Sequence, residues 1–262
     1  MKSSVRNQLA LLLLNAFHES KECLALEWLA LLCKLVGRRK SPKVRLLELL
    51  ERKGLTRINK GVRSALEQLL GDGKFFQLRR IDDGGAASGG LPKRLEGNLW
   101  LIEPHPEVYA ALTAVRERAR IYVRLLGHIK EINAAQDPQD PLRRAMAQAA
   151  LCFNAGLFFE THEHLEHYWM AEPAGPVKRF LQGIIQISVG FHHARLGKYD
   201  GAINQLAKGL EKTLGATGNF LGLNCNEFLP KVVAAREAIL RRGRAQMTPL
   251  SLSKIPRMRL KK

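Results

Sequence analysis

Residues 137–141 read Asp-Pro-Gln-Asp-Pro, and no regular element can pass through them. Each proline removes a backbone donor and pushes the residue before it out of the helical region. The 262-residue chain is therefore read in two parts, each of which must bury its own core. On the C-terminal side, apolar residues recur at helical spacing almost throughout. On the N-terminal side, that spacing gives way once to the alternation of strands.

Residues 4–17 and 22–36 are Leu-rich at helical spacing and predict two helices. Ser41-Pro42 is an N-cap and first-turn pair, which predicts a short helix over 42–53 ending at Gly54. Thr56 is placed to cap a helix over 57–70, which ends near Gly71-Asp72-Gly73. Two strands follow, at 74–81 and 98–102, with a glycine-rich stretch between them.

Helices followed by a long-looped hairpin form the order of a winged helix, and the stretch from Leu46 to Ile81 resembles winged helix-turn-helix DNA-binding domains. On the helix 57–70, Ile58, Val62, Ala65, Leu66 and Leu69 share an apolar stripe. Arg57, Lys60, Ser64, Glu67 and Gln68 fall opposite, with Arg63 at the margin. Arg and Lys neutralise phosphates, and Arg, Ser and Gln also hydrogen-bond base edges. Lys93 and Arg94 fall on the wing, placed for a backbone contact. The same residues also suit a solvated helix face or a protein-docking module.

The formal net charge is +18. Residues 151–240 are balanced, whereas 1–100 carry 19 Lys/Arg against 10 Asp/Glu, and 241–262 carry eight against none. Basic ends around a neutral part suggest a polyanion partner, here double-stranded DNA. A merely soluble basic surface is the competing reading. Four scattered cysteines without a CxxC pair predict a reduced, cytoplasmic protein with neither a disulfide framework nor a cysteine zinc site. The longest apolar run, Leu9 to Leu14, is too short to span a bilayer, so no membrane partner is expected. Lys2 and Arg6 before it faintly suggest a signal peptide. Asn15 and the charged residues after it, without a small-residue cleavage site, argue instead for a buried first helix.

The expected domains are a winged-helix-like domain over 1–104, a connector helix and linker over 105–140, an all-helical domain over 141–242 and a flexible basic tail over 243–262. The fold class is thus mainly α, with one small β-hairpin. Within the helical domain, helices are expected over 142–154, 157–170, 177–196, 201–214 and 226–242. Gly-Leu-Phe-Phe-Glu (156–160) and Gly-Lys-Tyr-Asp-Gly (197–201) are alike at an offset of 41 residues, which suggests a compact bundle of helix hairpins.

The segment from Phe153 to Trp169 gathers histidines, acids and aromatics. A helical wheel centred on His162 puts Phe158, Phe159, Leu165, Glu166 and Trp169 near it, Glu163 at the edge, and Glu160, His164 and His167 towards solvent. A carboxylate on an apolar face needs a partner. His162, Glu163, Glu166 and His192 are therefore the candidate catalytic residues. With Trp169, Gln182 and Gln186 they make a candidate polar cluster, if the helices pack antiparallel. The cluster reads as a structural network, as a small-ligand pocket walled by Trp169 and Phe159, or as a hydrolytic or metal site. HEHLE is not HExxH, and the Glu-x-x-His pairs of ferritin-type sites are missing, so no metal and no cofactor are expected.

The spaced motif Phe158-Phe-Glu-x-His-Glu-x-Leu-Glu-x-x-Trp169, then Phe180-Leu-Gln-Gly-Ile-Ile-Gln186 and His192, resembles the family named domain of unknown function 309 over about 150–240. The resemblance implies a small all-α fold and supplies no activity. Together these readings give a DNA-binding protein, a transcriptional regulator whose helical domain senses a ligand or forms a homodimer. The alternatives are an enzyme or small-ligand-binding protein using His162 and Glu166, and a protein–protein adaptor.

Overall fold

A computed structural model of the chain describes residues 1–18, 22–37, 41–55, 58–71, 74–81, 91, 100–135 and 140–261. The molecule is mainly α and divides into two units, Met1–Gly127 and His128–Lys262.

In the first unit, α1 (Ser3–His18) and α2 (Glu22–Val36) pack through Leu9, Leu13, Leu26, Trp28 and Leu29, all buried. The next segment differs from the expected helix over 42–53. Val44–Arg45 is a strand, β1, and α3 spans only Leu46–Glu51. Ser41-Pro42 therefore caps nothing, because Val44 and Arg45 pair instead with Ile102 and Leu101. The strands β2 (Phe76–Arg80) and β3 (Trp100–Pro104) complete an antiparallel sheet of order β1-β3-β2. Between β1 and β2 lie α3 and α4 (Lys60–Leu69). The side chain of Asn59 caps α4, accepting from Val62 N at 2.9 Å; Thr56 lies outside the described residues. The connector helix expected within 105–140 is two helices, α5 (Pro106–Ala110) and α6 (Leu112–Ala135). The break falls at Ala111, whose N–H closes a tight turn on Val108 O at 3.2 Å around the buried Val108 side chain.

The second unit contains α7 (Pro141–Asn154), α8 (Phe158–Ala171), α9 (Pro176–Arg195), α10 (Tyr199–Lys212) and α11 (Cys225–Arg242). A short hairpin, β4 (Asn219–Phe220) and β5 (Leu223–Asn224), leads into α11. The hairpins α7–α8 and α9–α10 repeat each other closely. Gly156 and Gly197 take φ of 78° and 69°. The N–H groups that follow them, on Leu157 and Lys198, bond back to Cys152 O and His193 O at 2.9 and 3.0 Å. A side chain at either glycine would be strained, so glycine is dictated there by the turn. Phe153 centres the core, its ring 5.0, 5.8 and 5.6 Å from those of Phe158, Phe191 and Phe228, all edge-on. On its other side α9 approaches α10 closely at Gly183 and Gly209. A Cβ on Gly209 would stand 2.7 Å from Gly183 O.

Residues 243–261 are docked rather than a flexible tail. Leu250, Ile255 and Met258 are buried in the same core. Asn154 clamps the Met258 backbone on both sides, donating to its O and accepting from its N at 2.8 Å each. Leu250 N donates to Ala194 O, and Lys261 N to Gly222 O, both at 2.9 Å. The expectation of flexibility weighed the prolines and charges; the spaced apolar residues between them decide the outcome. No helix among the described residues is long and apolar enough to cross a membrane.

Candidate functional site

The face of α4 carries the first candidate. Val62, Ala65, Leu66 and Leu69 are buried, as the stripe predicts, and Lys60, Ser64 and Glu67 are exposed. The wheel puts Gln68 on the open face and Arg63 at its margin, and both are half-buried. Arg63 donates through Nη1 to the carbonyl of Leu91 at 3.1 Å, with Glu67 Oε1 at 3.7 Å. It anchors the chain at Leu91 rather than facing solvent. Gln68 lines a cavity with Gln8, Leu12, Asn15 and Phe75. At 100° per residue, Arg63 and Gln68 flank the exposed centre, and the neighbouring elements cover the flanks. Arg57, Lys93 and Arg94 lie outside the described residues. Charge nearby is partly offset: Glu103 holds Lys43 at 2.9 Å and Arg79 at 3.2 Å.

The second candidate is on α8, and the helix is turned relative to the expected wheel. Its buried face runs through Phe158, Thr161, His164 and Leu165, with Glu160 also inside. Glu160 is 0% and His164 2% exposed, although both were expected in solvent. The side chains of His162, Glu163 and Glu166 are 24%, 35% and 40% exposed, although His162 and Glu166 were expected at the centre of the apolar stripe. The true stripe lies about a quarter turn away. A wheel scored on apolar residues alone misses it, because three of its members are polar. Thr161 belongs inside because its hydroxyl donates to Leu157 O at 2.9 Å.

His162 stands between two carboxylates. Nδ1 is 3.2 Å from Glu163 Oε1, and Nε2 is 3.3 Å from Glu166 Oε2. The Phe159 ring lies edge-on to it at 6.1 Å. Gln182, Gln186 and His192, the other expected members of the cluster, are carried by α9. Those three are half-buried. Trp169 is half-buried and faces Lys178, whose Nζ is 5.4 Å from the ring centroid. Nearby, burial pushes the Tyr168 hydroxyl above its ordinary value, and Arg144 pulls the other way.

One atom from each of His162, Glu163 and Glu166 lies within 4.8 Å of the others, so the three could hold a divalent cation after small rotations. A histidine with two carboxylates suits a transition metal such as zinc or manganese. The set follows neither the HExxH nor the Glu-x-x-His spacing on which the expectation of no metal rests; its spacing is i, i+1, i+4.

The C-terminal unit thus carries two repeated hairpins, α7–α8 and α9–α10, with a His–Glu–Glu face on α8. Residues 146–205, from α7 into α10, match the family described as "Domain of unknown function (DUF309)". No curated protein and no solved structure matches the chain.

Proposed function

We propose that the chain is a cytoplasmic DNA-binding regulator whose N-terminal unit is a winged helix. The observation that carries this reading is the path β1–α3–α4–β2–β3 with sheet order β1-β3-β2. In that arrangement α4 is the helix available to a major groove, and it offers Lys60 and Ser64. The four cysteines, all free and buried, favour a reducing compartment. The helical unit then serves as the sensor or as the surface of a homodimer.

Affinity for duplexes selected from random sequence, and for scrambled duplexes, measured across a salt series, tests the reading. Lys60→Glu should weaken every duplex and flatten the salt slope by about one. Ser64→Ala should narrow the gap between selected and scrambled duplexes. No duplex binding by the full chain at low salt defeats the proposal.

A second reading has its own observation, the His162 triad. It is a small metal or acid–base site, in which the carboxylates orient the imidazole and His162 exchanges protons or binds the ion. Calorimetric titration with zinc and with manganese tests it. One-to-one binding that is lost in both His162→Ala and Glu166→Ala supports it.

A further inference from the structure

We propose that the C-terminal unit binds a small organic anion in the cavity between the start of α9 and the end of α10. The cavity measures about 420 Å³ and is bounded by Pro176, Arg179, Phe180, Lys212, Leu214 and Phe220. That volume lies within the span typical of small-molecule sites. Phe180 is buried, and its ring lies 4.5 Å from that of Phe220. The two rings make an aromatic wall at the open end of the core. Leu214 is 73% exposed on the rim, a large apolar side chain that a ligand body would cover.

Two cations stand at this apolar surface. Neither Arg179 nor Lys212 has a carboxylate within ion-pair distance among the described residues. Arg179 is held in place by a neutral acceptor instead, donating through Nη2 to Glu211 O at 3.2 Å. That bond uses one of its five donors and leaves the charge available. Elsewhere in the unit, Arg244, Lys231 and Arg259 are matched by Asp200 and Glu227. An aromatic wall beside two cations that no carboxylate pairs among the described residues selects an anionic head on a flat apolar body. A carboxylate, sulfonate or phosphate monoester of an aromatic compound fits that chemistry. The site lies on α9 and α10 and does not depend on the DNA reading, so its assay needs no nucleic acid.

The test titrates the full chain with 1-anilinonaphthalene-8-sulfonate and follows the dye's fluorescence. One saturable site is expected, displaced by benzoate but not by benzyl alcohol or inorganic phosphate alone. Lys212→Glu and Arg179→Glu should each weaken the dye by about tenfold or more, the scale of a lost charge-assisted hydrogen bond. Leu214→Ala should weaken it through the apolar part. All three side chains reach solvent, so helical content and melting temperature should stay at the parent values. Absence of a saturable site overturns the proposal, as does affinity within twofold of the parent in all three variants. Displacement by benzyl alcohol as strong as by benzoate overturns the anionic assignment.

Discussion

Glu160 and Glu166 lie on one helix in opposite surroundings. Glu160 is wholly buried, and the Glu166 side chain is 40% exposed beside His162. Removing a buried, partnered polar group strands what it touches, at a cost of about 1–3 kcal/mol. Loss of an exposed ion pair costs under about 1 kcal/mol. Urea unfolding should therefore show Glu160→Ala as the damaging change and Glu166→Ala as nearly neutral, the reverse of what a wheel of apolar residues implies. His193 makes a second prediction at this scale. Burial lowers its imidazole below the ordinary value of 6.5, and Lys198 adds to the effect. The unfolded chain takes up a proton there that the folded chain resists. Stability contributed by neutral His193 is complete above 6.5 and falls as pH drops through that value towards the lowered one. The melting temperature of His193→Gln should fall less than that of the parent between about pH 7.5 and about pH 5.

The α9–α10 contact depends on missing side chains. A Cβ on Gly209 would stand 2.7 Å from Gly183 O and 2.9 Å from Ile187 N, both backbone atoms with little room to move. Gly209→Ala should destabilise the second unit by about 1–3 kcal/mol. Gly127, exposed within α6 with nothing near its absent Cβ, is the control of opposite sign. Gly127→Ala should stabilise by about 0.5–1 kcal/mol. Thermal melts of the two variants check both statements. The helices α7 to α10 were legible because Gly156, Gly197 and the prolines at 141 and 176 mark their ends by backbone rules that act locally. β1 was not legible, because Val44 and Arg45 are a strand only through pairing with residues almost sixty positions later. The candidate site was half legible: the segment was found, but which of its faces is buried depends on what α7 and α9 bring to it.

At the scale of the molecule, the basic C-terminal residues do two things at once. Leu250, Ile255 and Met258 fill the core, while Arg257, Arg259 and Lys261 stay exposed between and after them. Truncation after Met247 should cost at least about 3 kcal/mol from lost apolar burial alone, read from urea unfolding. Removing this segment is therefore no measure of what its charges would contribute to the proposed DNA binding. Exchanging Arg257 and Lys261 for Gln keeps Met258 seated and tests the charges by themselves. A flatter salt slope at an unchanged melting temperature is the expected result.

The repeated hairpins supply the chain's own comparison, with no second protein needed. Shifting α8 by 41 residues lays it on α10. Gly156 then meets Gly197, Phe158 meets Tyr199 and Leu165 meets Leu206; these agree because the same backbone asks the same thing twice. His162, Glu163 and Glu166 meet Ile203, Asn204 and Ala207. A helix of identical length and identical turn geometry does without all three. The turn and the helix length by themselves therefore make no demand for a histidine or a carboxylate at those positions.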